Sequence, residues 1–324
     1  MIAVKAAIIG YGGIAVTHEQ VLKSLGHEIV AVCDNDPKKL ERADAPLKFL
    51  DYREMLDSIS ADVVHICTPH YLHADMIICA LSRNFNVLCE KPLCIKEEDV
   101  ERIAKVEKNS KGQLGICFQN RYNPINVYIK NYLEGKTLKC ATASMVWNRD
   151  EKYYATAKWR GKWATEGGGV LINQSIHTLD LLLWFAGMPE YIRATVDNIR
   201  TKDFIEVEDT AVISGYGKAP FTFFATNSSA VNYPVEFTLN VDGVWLKYFN
   251  NILYIGDKAI TFEEATKAYG KSEYGSGHTG LIADFYDCIG TGRKFEIDAF
   301  EAAKAVKVVF AAFKSSKTEN KIIL

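Results

Sequence analysis

The residues best suited to proton chemistry stand in two separate stretches of the chain. Lys91 follows a short apolar run and comes directly before Pro92. Asn173 and His177 lie four residues apart in a glycine-led segment with helical spacing, and Asp180 follows three residues later. Residues at these spacings share one face of a helix. An imidazole can take a proton from a hydroxyl near neutral pH, and an ammonium group can hydrogen-bond that hydroxyl and stabilise its alkoxide.

Each of these residues also has an ordinary structural interpretation. A lone lysine after a strand is most often a surface residue, and a lone histidine on an apolar helix is most often hydrogen-bonded within a core. Two observations favour function. The opposite side of the predicted helix is apolar, with Leu171, Leu179 and Leu182, so a polar stripe is costly to bury unless its hydrogen bonds are satisfied. Pro92 restricts the backbone of the residue before it.

A glycine-rich turn near the N-terminus has the chemistry of a phosphate-binding loop. Residues 10–15 (GYGGIA) stand between a predicted strand and a predicted helix. Gly10 can make the tight turn, Gly12 lets a pyrophosphate approach the backbone, and Ala15 allows close packing of the helix. The N-terminus of that helix offers N–H groups and the positive end of its dipole. The cofactor contacts predicted here are Gly10, Tyr11, Gly12, Gly13 and Ile14.

Asp34 ends the second predicted strand, where a ribose-binding acid is expected. Its carboxylate can accept hydrogen bonds from ribose hydroxyls and would repel a 2′-phosphate. The sequence therefore favours NAD over NADP. The alternative interpretation is a turn glycine followed by an aspartate that caps a helix before Pro37.

The pattern of apolar runs predicts an α/β fold with two domains. In the first third of the chain, continuous apolar runs alternate with amphipathic helical stretches, which is typical of a parallel sheet covered on both faces. From about residue 123 the pattern changes to alternating strands, with one long helix over residues 170–185 and a hairpin around Asp242 and Gly243. We place an N-terminal doubly wound Rossmann domain at residues 1–122. A C-terminal α/β domain with a mostly antiparallel sheet follows at residues 123–324, and its last helix could pack back on the first domain.

Composition excludes several classes of protein. The 324 residues are 48% hydrophobic and 24% charged, so the chain can bury real cores, and intrinsic disorder is excluded. The net charge of -2 gives no sign of a nucleic-acid partner. The longest apolar stretches are short of the roughly 20 residues of a membrane span, and the N-terminus lacks a secretory signal. The eight cysteines form no C-x-x-C pair, so we expect a cytoplasmic protein with reduced thiols and no metal ligands.

Six short segments stand in an order and spacing that are specific together, although each is common alone. They are residues 10–15 (GYGGIA), 67–73 (CTPHYLH), 90–92 (EKP), 121–124 (RYNP), 159–161 (WRG) and 167–180 (GGGVLINQSIHTLD). Through them the chain resembles, over nearly its whole length, the glucose-fructose oxidoreductase / inositol dehydrogenase / rhizopine-catabolism (Gfo/Idh/MocA) family. The resemblance implies a Rossmann domain and a second domain with a large open sheet. It also implies hydride transfer between nicotinamide and a secondary hydroxyl of a sugar, cyclitol or sugar derivative.

The resemblance also assigns roles to individual residues. Lys91 matches the active-site lysine of the family and His177 its proton-handling histidine, and Asn173 completes the predicted catalytic group. The predicted cofactor contacts after the second strand are Thr68, Pro69, His73, Glu90 and Lys91. The predicted substrate contacts are Arg121, Tyr153, Trp159, Arg160, Asn173, His177 and His278.

One position departs from the pattern of the family. Several of its polyol dehydrogenases carry an aspartate where this chain has Asn173. An amide cannot hold negative charge, so it cannot raise the basicity of His177 or Lys91 as a carboxylate would. This difference disfavours a plain inositol dehydrogenase, and the proton acceptor itself is retained.

The partners expected are a small sugar or polyol and further copies of the chain. An open sheet face must be covered, and the resemblance implies a homodimer or homotetramer built across it. Two other functions stay open. One is a hydrolase or lyase that uses tightly held NAD for transient oxidation. The other is a sensor that binds NAD without turnover, against which the presence of both Lys91 and His177 argues.

Overall fold

The computed structural model describes residues 4–263, 268–269 and 275–324, and the chain divides into two compact units. The first unit comprises Met1–Asn123 with Glu264–Ala303, and the second comprises Pro124–Glu263 with Lys304–Leu324. The first stretch of the first unit ends at Asn123, one residue beyond the domain boundary predicted at residue 122. The first unit also takes in a later segment that the sequence analysis placed in the second domain.

Strands and helices alternate regularly in the first part of the chain and less regularly afterwards. The described strands are β1 (Lys5–Ile9), β2 (Glu28–Cys33), β3 (Leu47–Phe49), β4 (Val63–Ile66), β5 (Asn86–Glu90), β6 (Leu114–Cys117), β7 (Leu138–Val146), β8 (Tyr191–Asp197), β9 (Thr210–Tyr216), β10 (Phe221–Thr226), β11 (Glu236–Val241), β12 (Val244–Phe249), β13 (Ile252–Ile255), β14 (Lys258–Thr261) and β15 (Ile322–Ile323). The described α-helices are α1 (Gly13–Ser24), α2 (Pro37–Glu41), α3 (Tyr52–Ser58), α4 (His73–Leu81), α5 (Glu97–Asn109), α6 (Pro124–Tyr132), α7 (Glu151–Ala155), α8 (Ile176–Ala186), α9 (Gly277–Thr291) and α10 (Ala299–Thr318).

The sheet of the first unit has six parallel strands in the order β3-β2-β1-β4-β5-β6. This is the strand order of doubly wound dinucleotide-binding folds. β4 and β6 are buried along their whole length, as a sheet covered on both faces requires. α4 packs on β4 and β5, and α9 packs on β6. The predicted Rossmann architecture is confirmed.

The sheet of the second unit has nine strands in the order β14-β13-β12-β11-β7-β10-β9-β8-β15. β7 and β10 pair in parallel, and the other neighbours are antiparallel. One face buries Phe223, Phe237 and Leu239, and α8 packs against β7 on the same sheet. Trp245 comes directly before the buried Leu246 in β12, so it lies on the opposite face of the sheet. It is 52% exposed. The predicted mostly antiparallel sheet is confirmed.

The predicted hairpin is also confirmed. β11 and β12 are joined by Asp242 and Gly243, with φ angles of +50° and +87°. Positive φ at both central residues is the geometry of a type I′ turn, which matches the twist of the flanking strands.

The single helix predicted over residues 170–185 is wrong in its first part. A π-helical turn spans Val170–Gln174, and α8 begins only at Ile176. Ser175 explains the interruption, because its backbone N–H and its hydroxyl both donate to the Val170 carbonyl, at 2.8 and 2.7 Å. Asn173 and His177 therefore do not lie on one continuous α-helix. In the described part of the chain, no helix combines the length and the apolarity needed to cross a membrane.

Candidate active site

The glycine turn of the first unit has the shape predicted for it. Gly10 has a φ of +85°, and a Cβ there would lie 2.7 Å from the Thr68 side chain and 2.9 Å from the Cys67 backbone. Only glycine fits at such a position. Gly12 forms the N-cap of α1 and has no side chain with which to bind the first N–H groups of the helix. These donors suit the phosphates of a dinucleotide.

Asp34 holds this turn in place. Its carboxylate is buried, accepting the Tyr11 N–H at 2.7 Å and the Asp36 N–H at 2.9 Å. Lys39 Nζ lies 3.2 Å from the same carboxylate. The sequence analysis missed Lys39, although it stands only five residues after Asp34 and is the second of two consecutive lysines in α2. The pair places one anion and one cation where an adenosine ribose is expected.

His73 joins the loops that follow β4 and β5. Its Nδ1 lies 2.7 Å from the Pro92 carbonyl and its Nε2 2.9 Å from the Thr68 carbonyl. The imidazole is completely buried, and burial lowers its pKa. This geometry assigns His73 a positioning role between the two loops. Its contact with a cofactor, like that of Thr68 and Pro69, stays a prediction.

Glu90 is the last residue of β5 and is almost completely buried. One carboxylate oxygen, Oε1, lies 3.0 Å from His18 Nε2 and 3.4 Å from His278 Nε2. The other, Oε2, accepts the backbone N–H of Lys91 at 3.3 Å. Burial alone would raise the pKa of Glu90, but the hydrogen bonds and charges of the two imidazoles outweigh it and hold that pKa well below its usual range. Glu90 thus fixes the backbone from which the half-buried Lys91 side chain extends.

Two other predicted site residues of the first unit have partners within that unit. Arg121 is 5% exposed, and its Nη1 lies 3.0 Å from Glu301 Oε1. His278 is 2% exposed and lies beside Glu90 and the ring of His18. The neighbours that the structure describes for Arg121 and His278 are side chains of the protein. The substrate contacts predicted for these two residues stay predictions.

In the second unit, two buried glutamates organise the glycine segment before α8. Glu166 accepts the Asn173 side-chain amide at 2.5 Å and the backbone N–H of Gly161. Glu208 accepts the N–H of Gly169 at 2.8 Å and that of Leu171 at 3.0 Å. The sequence analysis missed both glutamates. Glu166 directly precedes the three glycines, whereas Glu208 carries no local signal.

Close packing explains the glycines of this segment. A Cβ on Gly169 would lie 2.0 Å from the Glu208 carbonyl oxygen, and Gly168 has a φ of +145°. The backbone therefore runs directly against Glu208, two residues before β9 begins. This packing places Asn173 in the π-helical turn and the half-buried His177 in the first turn of α8.

Three of the predicted substrate residues lie together in the second unit. The Arg160 guanidinium stands 4.3 Å from the ring centre of Tyr153 and 5.4 Å from that of Trp159. Gln174 donates to the Tyr153 hydroxyl at 3.1 Å, and the sequence analysis missed it. Arg149, also missed, lies 5.0 Å from the Tyr153 ring. Aromatic rings and guanidinium groups in this arrangement can bind a polar, ring-shaped ligand.

A second layer supports these residues. Asn227 donates to Gln174 Oε1 at 2.9 Å and to the Tyr154 hydroxyl at 3.3 Å. Burial is the main cause that raises the pKa of the Tyr154 hydroxyl. Lys91 belongs to the first unit, and Asn173 and His177 belong to the second.

Two family models match the chain. The model described as an oxidoreductase family with a NAD-binding Rossmann fold, GFO/IDH/MocA, matches residues 4–118. The model of the GFO/IDH/MocA C-terminal domain matches residues 135–244. Together they account for most of both units.

Curated relatives and solved structures agree with this assignment. Inositol 2-dehydrogenase of Salmonella typhimurium is 29% identical over 192 residues, which is 56% of this chain and 54% of that protein. The 2,7-anhydro-N-acetylneuraminate hydratase of Mediterraneibacter gnavus is 28% identical over 206 residues, 60% of this chain and 52% of that protein. The chain thus spans about half the length of the curated relatives it matches. The WlbA dehydrogenase of Chromobacterium violaceum, solved with NADH and UDP-GlcNAcA, has a TM-score of 0.85 and 26% identity, covering 99% of this chain and 96% of that chain.

Proposed function

The chain belongs to the Gfo/Idh/MocA oxidoreductase family, and from this premise we propose that it is a NAD-dependent dehydrogenase or reductase. It transfers a hydride between a secondary hydroxyl of a sugar, cyclitol or sugar derivative and nicotinamide. The observation that carries the proposal lies in the first unit. Lys91 follows β5 at the carboxyl edge of a sheet whose β1 leads into the Gly10 turn. Ligands of open α/β sheets bind at that edge.

The residues of this chain divide the proton chemistry between them. Lys91 hydrogen-bonds the reacting oxygen and stabilises its negative charge. His177 accepts the hydroxyl proton during oxidation and returns it during reduction. Asn173, held by Glu166, hydrogen-bonds a neighbouring hydroxyl and fixes the ring of the substrate. NAD, when bound, supplies the acceptor for the hydride that leaves carbon.

The first unit fits NAD. The turn at Gly10 tolerates no side chain, and the uncapped start of α1 can face the pyrophosphate. The Asp34 carboxylate can accept hydrogen bonds from the ribose hydroxyls, as expected of an enzyme that uses NAD. Residues Gly10, Tyr11, Gly12, Gly13, Ile14 and Asp34 would hold the adenosine and pyrophosphate part.

The second unit favours a substrate with an anionic group. Arg149 and Arg160 stand within 5.0 Å of the same Tyr153 ring. Two guanidinium groups around one aromatic side chain suit a carboxylate or phosphate attached to a sugar. The ligand of the C. violaceum structure, a nucleotide-linked acidic sugar by its printed name, is consistent with this choice.

Turnover of the full chain tests the proposal. The purified protein is given NAD or NADP with three groups of substrates: neutral cyclitols, neutral sugars, and sugars that carry a carboxylate or phosphate. Reduced nicotinamide is followed by its absorbance. We expect NAD reduction with a member of the third group, and a loss of at least about 10²-fold in Lys91→Met and His177→Ala. Full turnover in either variant would reject the role of that residue.

A second function is favoured by one relative. The M. gnavus protein is named a hydratase, and water addition with transient oxidation would use the same residues without net reduction of NAD. Product analysis by chromatography in the same assays distinguishes the two. Product without accumulation of NADH indicates the second function, and product in step with NADH indicates the first.

The open face of the nine-stranded sheet supports an assembly of copies. We propose a homodimer or homotetramer in which this face is covered, because Trp245, Val212 and Tyr216 expose 52%, 41% and 40% of their surfaces. All eight cysteines are free thiols, which suits a reducing compartment such as the cytoplasm.

A further inference from the structure

Three metal-ligating side chains from distant parts of the chain meet in the core of the first unit. They are His18 of α1, Glu90 at the end of β5 and His278 of α9, which are 0%, 7% and 2% exposed. Their ligand atoms all lie within 4.8 Å of one another. Two imidazole nitrogens and one carboxylate oxygen therefore converge in a place that water does not reach.

The distances between these atoms suit a small tetrahedral ion. Bonds of about 2.0–2.1 Å to a tetrahedral zinc ion place neighbouring nitrogen and oxygen ligands about 3.3 Å apart. The two measured distances from Glu90 Oε1 are 3.0 Å to His18 Nε2 and 3.4 Å to His278 Nε2. The ligand atoms of the two imidazoles lie within 4.8 Å of each other, so the side chains would have to adjust for an ion to enter between them.

A candidate fourth ligand lies beside His18. Cys117, the last residue of β6, is completely buried, and its Sγ is 4.0 Å from His18 Nε2. Zinc accepts nitrogen, oxygen and thiolate ligands together. One carboxylate and one thiolate would neutralise the two charges of the ion, which removes the cost of burying a net charge.

The surroundings of His18 match those of a metal-bound histidine. Such a residue usually hydrogen-bonds a second group through its other ring nitrogen, which fixes the orientation of the ring. His18 Nδ1 lies 2.8 Å from His65 Nδ1, and His65 Nε2 lies 2.8 Å from the Tyr286 hydroxyl. His65 and Tyr286 are both buried, so the chain of contacts is closed off from solvent.

We propose that His18, Glu90, His278 and Cys117 bind one divalent transition-metal ion. Zinc is the ion that we expect. The site is structural, since all four protein ligands surround the ion, and it ties the ends of β5 and β6 to α1 and α9. It goes beyond the proposed dehydrogenase activity and does not depend on it. Without an ion, the same groups form a directly hydrogen-bonded cluster, which is the competing outcome.

Metal content of the full chain gives the first test. The protein is stripped with a chelator, incubated with Zn²⁺ and desalted, and zinc is measured by elemental analysis. We expect one zinc per chain. A chain that retains less than about a tenth of that ratio would overturn the proposal.

Cobalt reports the geometry of the site. Co²⁺ loaded in place of zinc should give the strong visible absorption of a tetrahedral complex, together with a thiolate charge-transfer band in the near ultraviolet. Cys117→Ser should remove the charge-transfer band and keep the chain folded, because the change is close to isosteric. A cobalt spectrum like that of the hydrated ion overturns the site, and an unchanged band in Cys117→Ser removes this residue from it.

Histidine variants identify the ligands. His18→Gln and His278→Gln should lower retained zinc at least tenfold after desalting. His27→Gln is the matched control, because His27 is another buried imidazole of the same unit and stacks on Tyr286 outside the ligand group. Far-ultraviolet circular dichroism verifies that each variant is folded. Equal zinc retention in all three variants would contradict the proposal, and so would loss in the control alone.

Discussion

The side-chain amide of Asn173 donates a hydrogen bond of 2.5 Å to the buried carboxylate of Glu166. Glu166 is 0% exposed, and its other carboxylate oxygen accepts the Gly161 N–H. An asparagine can serve as this donor, whereas the aspartate expected in polyol dehydrogenases of the family cannot do so when ionised. The departure at position 173 is thus matched by Glu166, which directly precedes the three glycines.

Asn173→Asp should destabilise the second unit most at high pH. Two carboxylates in contact cannot both ionise without repulsion, so one of them must hold a proton. We expect a loss of about 1–3 kcal/mol at pH 8, smaller at pH 5, measured by urea unfolding. The double variant Glu166→Gln with Asn173→Asp restores the hydrogen bond with its donor and acceptor exchanged, and should recover most of the loss. No recovery in the double variant would mean that the pair does not determine the effect.

Glu208 should make stability depend on pH. Burial is the main cause that raises its pKa from 4.5 to about 7, although Gly169 and Leu171 donate their N–H groups to it. A carboxyl group whose pKa is higher in the folded state binds protons more tightly there. Its stabilising contribution is therefore complete below about pH 4.5 and is lost as the pH rises through about 7.

The comparison of wild type with Glu208→Gln measures this contribution. The glutamine keeps a neutral side chain at every pH. The difference in the free energy of unfolding between the two proteins should therefore change between pH 5 and pH 8 in favour of the variant. We expect a change on the order of 2–3 kcal/mol. A difference that stays constant with pH would show that Glu208 does not titrate in this range.

Asp34 and Lys39 should decide the choice of dinucleotide. Asp34→Ala removes the charge that repels a 2′-phosphate and leaves the Lys39 ammonium to bind it. We expect the ratio of kcat/KM for NADP over NAD to rise at least about tenfold, equivalent to about 1.4 kcal/mol. Asp34→Ala with Lys39→Ala should lose that gain, because the phosphate then has no cation. An equal ratio in the single and double variants would exclude Lys39 from the phosphate site.

Trp245 should be needed for assembly of the chain. It is 52% exposed on β12, and Trp245→Asp places a charge on the open face of the sheet. Light scattering after gel filtration should show a shift from oligomer to monomer. Val231→Asp is the control, since Val231 is 69% exposed and lies outside the strands of the sheet. A monomeric wild type, or an oligomeric Trp245→Asp, would contradict the proposed interface.

Local patterns in the sequence predicted much of the fold. The apolar runs predicted five of the six parallel strands, all except the short β3, and the glycines at positions 10 and 12 marked the dinucleotide turn. Asp242 and Gly243 predicted the hairpin because the turn type depends on these two residues alone.

Features that depend on distant residues were missed. Glu208 accepts N–H groups of a segment almost forty residues earlier, next to the π-helical turn that the helical spacing did not predict. His18, Glu90 and His278 come from three parts of the chain and form no motif, so the absence of zinc-finger spacing could not reveal them. Burial and proximity, rather than periodicity, determine these contacts.

The two oxygens of Glu90 have a consequence for how mutagenesis is interpreted. Oε1 faces the imidazoles of the core, while Oε2 holds the main-chain N–H of Lys91. A substitution among those imidazoles can therefore displace the lysine without touching any reactant. Slow variants of His18 or His278 would resemble catalytic mutants in a rate assay, and chemical rescue with small amines would separate a displaced lysine from a missing one.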